Sequence, residues 1–135
     1  MAIPAFSDAW AQALLAAVNG DGDYADAATG WTNPVALVAV ASAQLPAGIA
    51  VQLDLASGTC RDAQSLQPAA VTALFVLSAE IQVWKEIVDG LTDPLTAVAR
   101  GKVTLTHGSM FTLMLNARGA RALLASAQQI ETLWP

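Results

Sequence analysis

A chain of 135 residues can bury one core but is too short for two ordinary domains, so one architecture is expected. It is 55% hydrophobic and 13% charged, with mean hydropathy +0.48, so an apolar surplus must go into an oversized core, a subunit interface, a membrane or an apolar ligand. The net charge of −5 argues against nucleic acid, the singly scattered cations Arg61, Lys85, Arg100, Lys102, Arg118 and Arg121 form no polybasic run, and the lone Cys60 excludes an internal disulfide framework.

Ser7 can cap a helix over residues 7–19, in which Trp10, Leu14 and Val18 recur every four residues and Asn19-Gly20 supplies the stop. Residues 21–29 open with acids suited to a helix N-terminus, so a shorter helical turn is expected before Gly30. From Pro34 the period changes to two. Residues 35–41 are apolar on both faces, as in a central strand between two covering layers. In 49–55, Ile49, Val51, Leu53 and Leu55 face one way and Ala50, Gln52 and Asp54 the other, which describes a half-buried strand. Leu45-Pro46-Ala47-Gly48 has the residues of a hairpin turn, making the two strands antiparallel neighbours. A polar loop through Arg61-Asp62 and Pro68 then leads to a third strand at 71–77 that completes a meander.

The helical period returns in Ile81, Trp84, Val88 and Leu91, widened by Val83 and Ile87, with Gly90 as the stop. Asp93 caps a further helix with Pro94 at its first position, Leu95, Val98 and Ala99 on its apolar side, and Gly101 beyond its end. Residues 102–107 alternate as a fourth strand with Val103 and Leu105 inward. The dense run Met110, Phe111, Leu113, Met114, Leu115 fits helix or strand by period alone. Helix is favoured, because Met and Leu are helix formers and the Ala-rich stretch to Glu131 extends the pattern past Gly119; a fifth strand at 110–116 is the alternative. No repeat or linker divides the chain, so residues 1–135 are expected to form a single domain.

The uncharged stretch 27–53 is long enough to span a bilayer, but Asn33, Pro34, Gln44, Pro46 and Gly48 interrupt it, so no transmembrane segment is expected. The N-terminal residues lack the positive and apolar regions of a secretory signal, and a cytoplasmic location is the expectation.

The succession Ala79-Glu80-Ile81-Gln82-Val83-Trp84-Lys85-Glu86-Ile87, with Gly90, Asp93-Pro94, Ala97, Gly101-Lys102 and Gly108, resembles the sterol carrier protein type-two family. The order of elements over nearly the whole chain is similar too. The resemblance implies an α+β fold: a five-stranded, mostly antiparallel sheet covered on one face by helices, with an apolar tunnel that takes sterols, fatty acids or acyl-CoA. By apolar facing, the ligand wall would come from Phe75, Leu77, Ile81, Trp84, Val88, Leu95, Val98, Met110, Phe111, Met114 and Leu115. Methionine suits such a wall because its unbranched thioether can repack around varied shapes. Two features depart from the family. The sequence given closes on Leu133-Trp134-Pro135 instead of the Ser-Lys-Leu peroxisomal address of eukaryotic members, and Ser109 stands where many members carry an acid after the glycine.

Other constellations read more simply as structure. Asn19-Gly20-Asp21-Gly22-Asp23 opens like a calcium loop, but Tyr24 and Gly30 occupy the places of the required glycine and glutamate. His107 is the only histidine and Cys60 the only cysteine, too few for a Ser-His-Asp centre or a zinc site. Arg61 beside Cys60 could lower its pKa, but a strand-end loop position is the plainer reading. No glycine-rich phosphate loop is present. Glu80 and Asp89 are nine residues apart, about 13 Å along a helix, too far for an acid–base pair.

These residues point to a domain that is not an enzyme and needs no cofactor, and that binds an apolar ligand, transferring or presenting it inside the cell. The alternative is a homodimerising or enzyme-docking accessory protein using Trp10, Trp31, Trp134 and the 110–115 patch. A third reading has the chain shield a lipophilic intermediate for membrane-associated enzymes.

Overall fold

In the computed structural model, which describes residues 2–135, Ser7 starts the first helix as its sequence position predicts. Its hydroxyl accepts from the Trp10 N–H at 3.2 Å and donates to the Pro4 carbonyl at 2.7 Å. Helix α1 (Asp8–Asn19) buries Trp10, Ala11, Leu14 and Val18 along one stripe. Helix α2 (Gly22–Ala27) is capped by Asp21, whose carboxylate accepts from the N–H groups of Asp23 and Tyr24 and from the Ser126 hydroxyl. Those bonds hold the Asp21 carboxyl below its ordinary pKa, the Ser126 bond first.

Five strands form the main sheet: β2 (Val35–Ala39), β3 (Ile49–Ala56), β4 (Thr59–Leu66), β5 (Phe75–Ala79) and β6 (Thr104–His107), in spatial order β4-β3-β2-β5-β6. Every pairing is antiparallel except that of β2 with β5. Strand β2 is buried along its whole length, as expected of a central strand. A separate pair, β1 (Ile3–Pro4) with β7 (Thr132–Leu133), runs parallel.

Two expectations are corrected here. The expected polar loop through Arg61-Asp62 is instead strand β4, the true third member of the meander. Asp54 pairs with Asp62 and Leu55 with Cys60, so Arg61 is an extra, bulged residue. The bulge places the buried Cys60 and Ala63 three residues apart, which breaks the alternation that marks a strand. Helix α1 then covers this edge strand. Asn19 accepts from the Cys60 N–H and donates to its carbonyl, both at 2.8 Å; Gln12 donates to the Ala63 carbonyl, and Asp8 accepts from the Ser65 N–H.

The run expected as a strand at 71–77 begins pairing only at Phe75. Its first residues belong to a strap over the helix-free face, following one 3-10 turn at Pro68–Ala70. Gln52 holds the strap by accepting from the Thr72 and Ala73 N–H groups, each at 2.9 Å. Beneath it Ala36, Val38, Ala50, Ala73 and Val76 form a small second core. This crossover brings β5 in parallel to β2, outside the meander.

The helix-covered face carries the main core. Helix α3 (Ile81–Val88) buries Ile81, Trp84, Ile87 and Val88. Helix α4 (Pro94–Ala99) is capped by Asp93, which accepts from the Thr96 N–H at 3.1 Å and from Arg121 Nε at 2.7 Å, tying α4 to the last helix. The Arg121 bond is the leading cause that holds the Asp93 carboxyl below its usual range. Residues 110–116 take the helical alternative. Helix α5 (Met110–Leu115) is capped by Ser109, and a break at Asn116 separates it from α6 (Ala117–Ala127). Helix α6 stops four residues short of Glu131, because the chain turns there into β7. Among the described residues no helix is long and apolar enough to cross a membrane.

Candidate functional site: an apolar cavity between sheet and helices

Strands present alternate residues to each face, so Val35 and Leu37 of β2, Leu55 of β3, and Phe75 and Leu77 of β5 floor one continuous apolar surface. The helices roof it. Tyr24 and Ala28 come from the α2 end, Trp84 and Ile87 from α3, and Pro94, Leu95 and Val98 from α4. Val103, Leu113 of α5, and Asn116, Gly119, Ala120, Leu123 and Leu124 at and along α6 complete the wall, with Trp31 packing edge-on against Phe75 at a ring separation of 4.7 Å. The cavity they enclose is about 50 Å³.

Its chemistry is almost entirely hydrocarbon. The Trp31 indole N–H donates to the Asn33 carbonyl at 2.6 Å and that of Trp84 to the Val38 carbonyl at 2.9 Å, so both rings offer the cavity only their apolar faces. Asn116 donates from its side-chain amide to the Thr112 carbonyl at 2.8 Å. Among the described residues Tyr24 is the only titratable side chain of the wall. Burial pushes its hydroxyl up to about 12, with a smaller contribution from Cys60, so it stays a neutral phenol. No carboxylate, imidazole, thiol or amine of the described residues lines the space.

Sterol carrier protein 2, as seen in a crystal structure, superposes on this chain with a TM-score of 0.89 at 34% sequence identity, covering 93% of this chain and 98% of that one. The chain belongs to the sterol carrier protein 2 family. A conserved hypothetical protein from Thermus thermophilus, possibly a sterol carrier protein, gives a TM-score of 0.88 at 33% identity, covering 95% of this chain and 90% of that one. Sterol carrier protein 2 from Yarrowia lipolytica, in its apo form, shares the fold at a TM-score of 0.58 and 13% identity, covering 87% of this chain and 88% of that one. No family model and no curated protein matches the sequence.

Within this sterol carrier fold, Phe75, Leu77, Trp84, Leu95 and Val98 come together on the cavity wall. The other residues expected there lie elsewhere. Ile81 and Val88 are buried in the main core, but on α3 it is Ile87, three residues after Trp84, that shares the wall with it. Met110, Phe111, Met114 and Leu115 are exposed, and Leu113 is the only buried residue of α5. A six-residue helix turns one narrow face to the protein, and its apolar residues outnumber the positions on that face.

The wall residues that sequence reasoning missed carried weaker signals. Val35, Leu37 and Leu55 share one parity on strands already recognised, and Gly119, Ala120, Leu123 and Leu124 recur at helical spacing within a stretch read only as Ala-rich. Cys60 is a buried residue of β4 rather than part of a loop. Burial outweighs its bond to the Asp62 carbonyl and pushes the thiol up to about 11, opposite to any activation by Arg61.

Proposed function

We propose that this chain binds an apolar ligand of the sterol, fatty acid or acyl-CoA class between its sheet and helices, without catalysing a reaction on it, and transfers or presents that ligand in the cytoplasm. The observation that carries this reading is the wall itself: apolar side chains from the sheet, the helices and their connections converge on one space whose indole N–H groups are already bonded to backbone. Such a surface gives a ligand desolvation and shape but no acid, base or nucleophile.

At about 25 cal/mol per Å², burying roughly 400 Å² of an acyl chain would contribute about 10 kcal/mol, enough to offset some rearrangement of the protein. Rearrangement is required, since ligand pockets usually measure about 300–1,000 Å³ and the cavity is about 50 Å³. The helix roof must part to load.

Native mass spectrometry of the purified protein tests the reading, together with titration by a fluorescent fatty acid. We expect co-purified lipid or saturable one-to-one binding that quenches Trp84 emission. Absence of both would overturn the proposal.

A further inference from the structure

We propose that the ligand enters between α4 and α6, through a seam latched by Asp93 and Arg121, and that Arg121 with Arg118 holds the head of a long-chain carboxylate at that entrance. The assignment rests on the function proposed above. Consecutive residues set the latch beside the wall on both helices. Pro94 lines the cavity while its neighbour Asp93 joins the ion pair, and Ala120 lines it while its neighbour Arg121 supplies the other half. Cavity and ion pair are thus one residue apart along α4 and along α6.

This seam is held more lightly than the one between α6 and α2. Against α2 the packing is close: a Cβ added at Gly119 would stand 3.3 Å from that of Ala28, and the Ser126 hydroxyl donates to Asp21 at 2.9 Å. Between α4 and α6, the Asp93 and Arg121 pair is the only hydrogen-bonded or ionic tie among the described residues. Its side chains are 35% and 52% exposed, and ion pairs open to water hold weakly. Helix α4 has only six residues, bracketed by Gly90 and Gly101 at φ of +80° and +76°. Parting the roof here breaks one solvated ion pair and leaves α6 seated on α2.

The cations at the seam select the head of the ligand. Arg121 gives its Nε to Asp93 at 2.7 Å but its Nη2 only at 3.5 Å, and no bond among the described residues engages its Nη1. The outer edge of the guanidinium can therefore take a second carboxylate while the latch closes again. Arg118 stands one turn back on the same helix, exposed and with no ion pair among the described residues. Helix α6 carries no acid to compete for either arginine. A tail within the hydrocarbon wall and a head between two arginines describe an anionic amphiphile rather than a sterol, whose hydroxyl needs neither cation.

Equilibrium binding and stopped-flow loading of cis-parinaric acid and of its methyl ester, which share one tail, test the proposal. The wild type should bind the acid roughly tenfold more tightly than the ester. Arg121→Gln should cut that ratio about fivefold and, with the latch broken, load the ester about threefold faster. Asp93→Asn, which keeps an oxygen for the Thr96 N–H, should speed ester loading alike while retaining the preference for acid. Arg118→Gln should reduce the preference without changing the ester's loading rate. Far-UV circular dichroism should be unchanged in all three variants. Equal binding of acid and ester by the wild type, a ratio unmoved by both arginine variants, or ester loading at the wild-type rate in Asp93→Asn and Arg121→Gln overturns the proposal. Dehydroergosterol, a neutral fluorescent sterol, and the ester separate this inference from the reading beneath it. If they bind while the acid has no advantage, the inference fails and the proposed function stands, whereas binding of none of the three overturns both.

Discussion

The Trp84 indole N–H donates to the Val38 main-chain carbonyl at 2.9 Å, joining α3 to the central strand across 46 residues of sequence. Both groups are buried, so the bond satisfies two polar atoms that water cannot reach. It also fixes the ring that walls the cavity.

Trp84→Phe keeps an aromatic ring but leaves the Val38 carbonyl without that donor. Urea denaturation should show a loss of about 1–3 kcal/mol. Fatty acid titration on the same variant separates packing from ligand contact: unchanged affinity would make Trp84 a core residue only.

Leu113 and Leu115 are close in sequence and opposite in environment, one buried on the cavity wall and one in solvent. Leu113→Ala should cost about 2–4 kcal/mol and weaken ligand binding. Leu115→Ala should stay within about 0.5 kcal/mol of wild type. Equal effects on melting temperature would contradict this division of α5.

Gly108 holds φ at +106°, and a Cβ added there would lie 2.6 to 2.9 Å from atoms of the Phe75 ring. Gly108→Ala should therefore destabilise by about 2 kcal/mol or more, through backbone strain and displacement of a wall residue. Gly22→Ala is the control, since nothing lies within 4 Å of its added Cβ. Thermal unfolding of the two variants should differ accordingly.

Cys60 gives an alkaline signature. Its folded pKa is raised from 9.0 to about 11, chiefly by burial, so between those values the folded chain keeps a proton that the unfolded chain releases. Stability should fall as pH rises through that window. Cys60→Ala should flatten the decline until Tyr24, raised from 10.0 to about 12, contributes its own. Parallel stability curves for wild type and variant from about pH 8 to 11 would contradict this.

The fold was legible wherever a local device marks an element. Ser7, Asp93-Pro94, Gly90 and Gly101 bound their helices through caps and stops that act within a few residues. Strand β4 was not legible, because its bulge at Arg61 hides the alternation and its backbone is held by Asn19, 41 residues away. The parallel pairing of β5 with β2 likewise depends on a strap clamped by Gln52, a contact with no local signature. The site was half legible for the same reason. Trp84, Leu95 and Val98 follow from helical period, whereas the direction of α5 is set by which of its crowded apolar residues turns to the cavity, and composition does not encode that choice.

The small size of the cavity bears on timing as well as fit. With about 50 Å³ between sheet and roof, a ligand cannot simply diffuse into a waiting space. If opening of the helix layer precedes capture, stopped-flow loading rates should rise with ligand concentration and then level off at a ceiling common to chemically different ligands. That ceiling would be a property of the protein, the frequency with which its own helices separate.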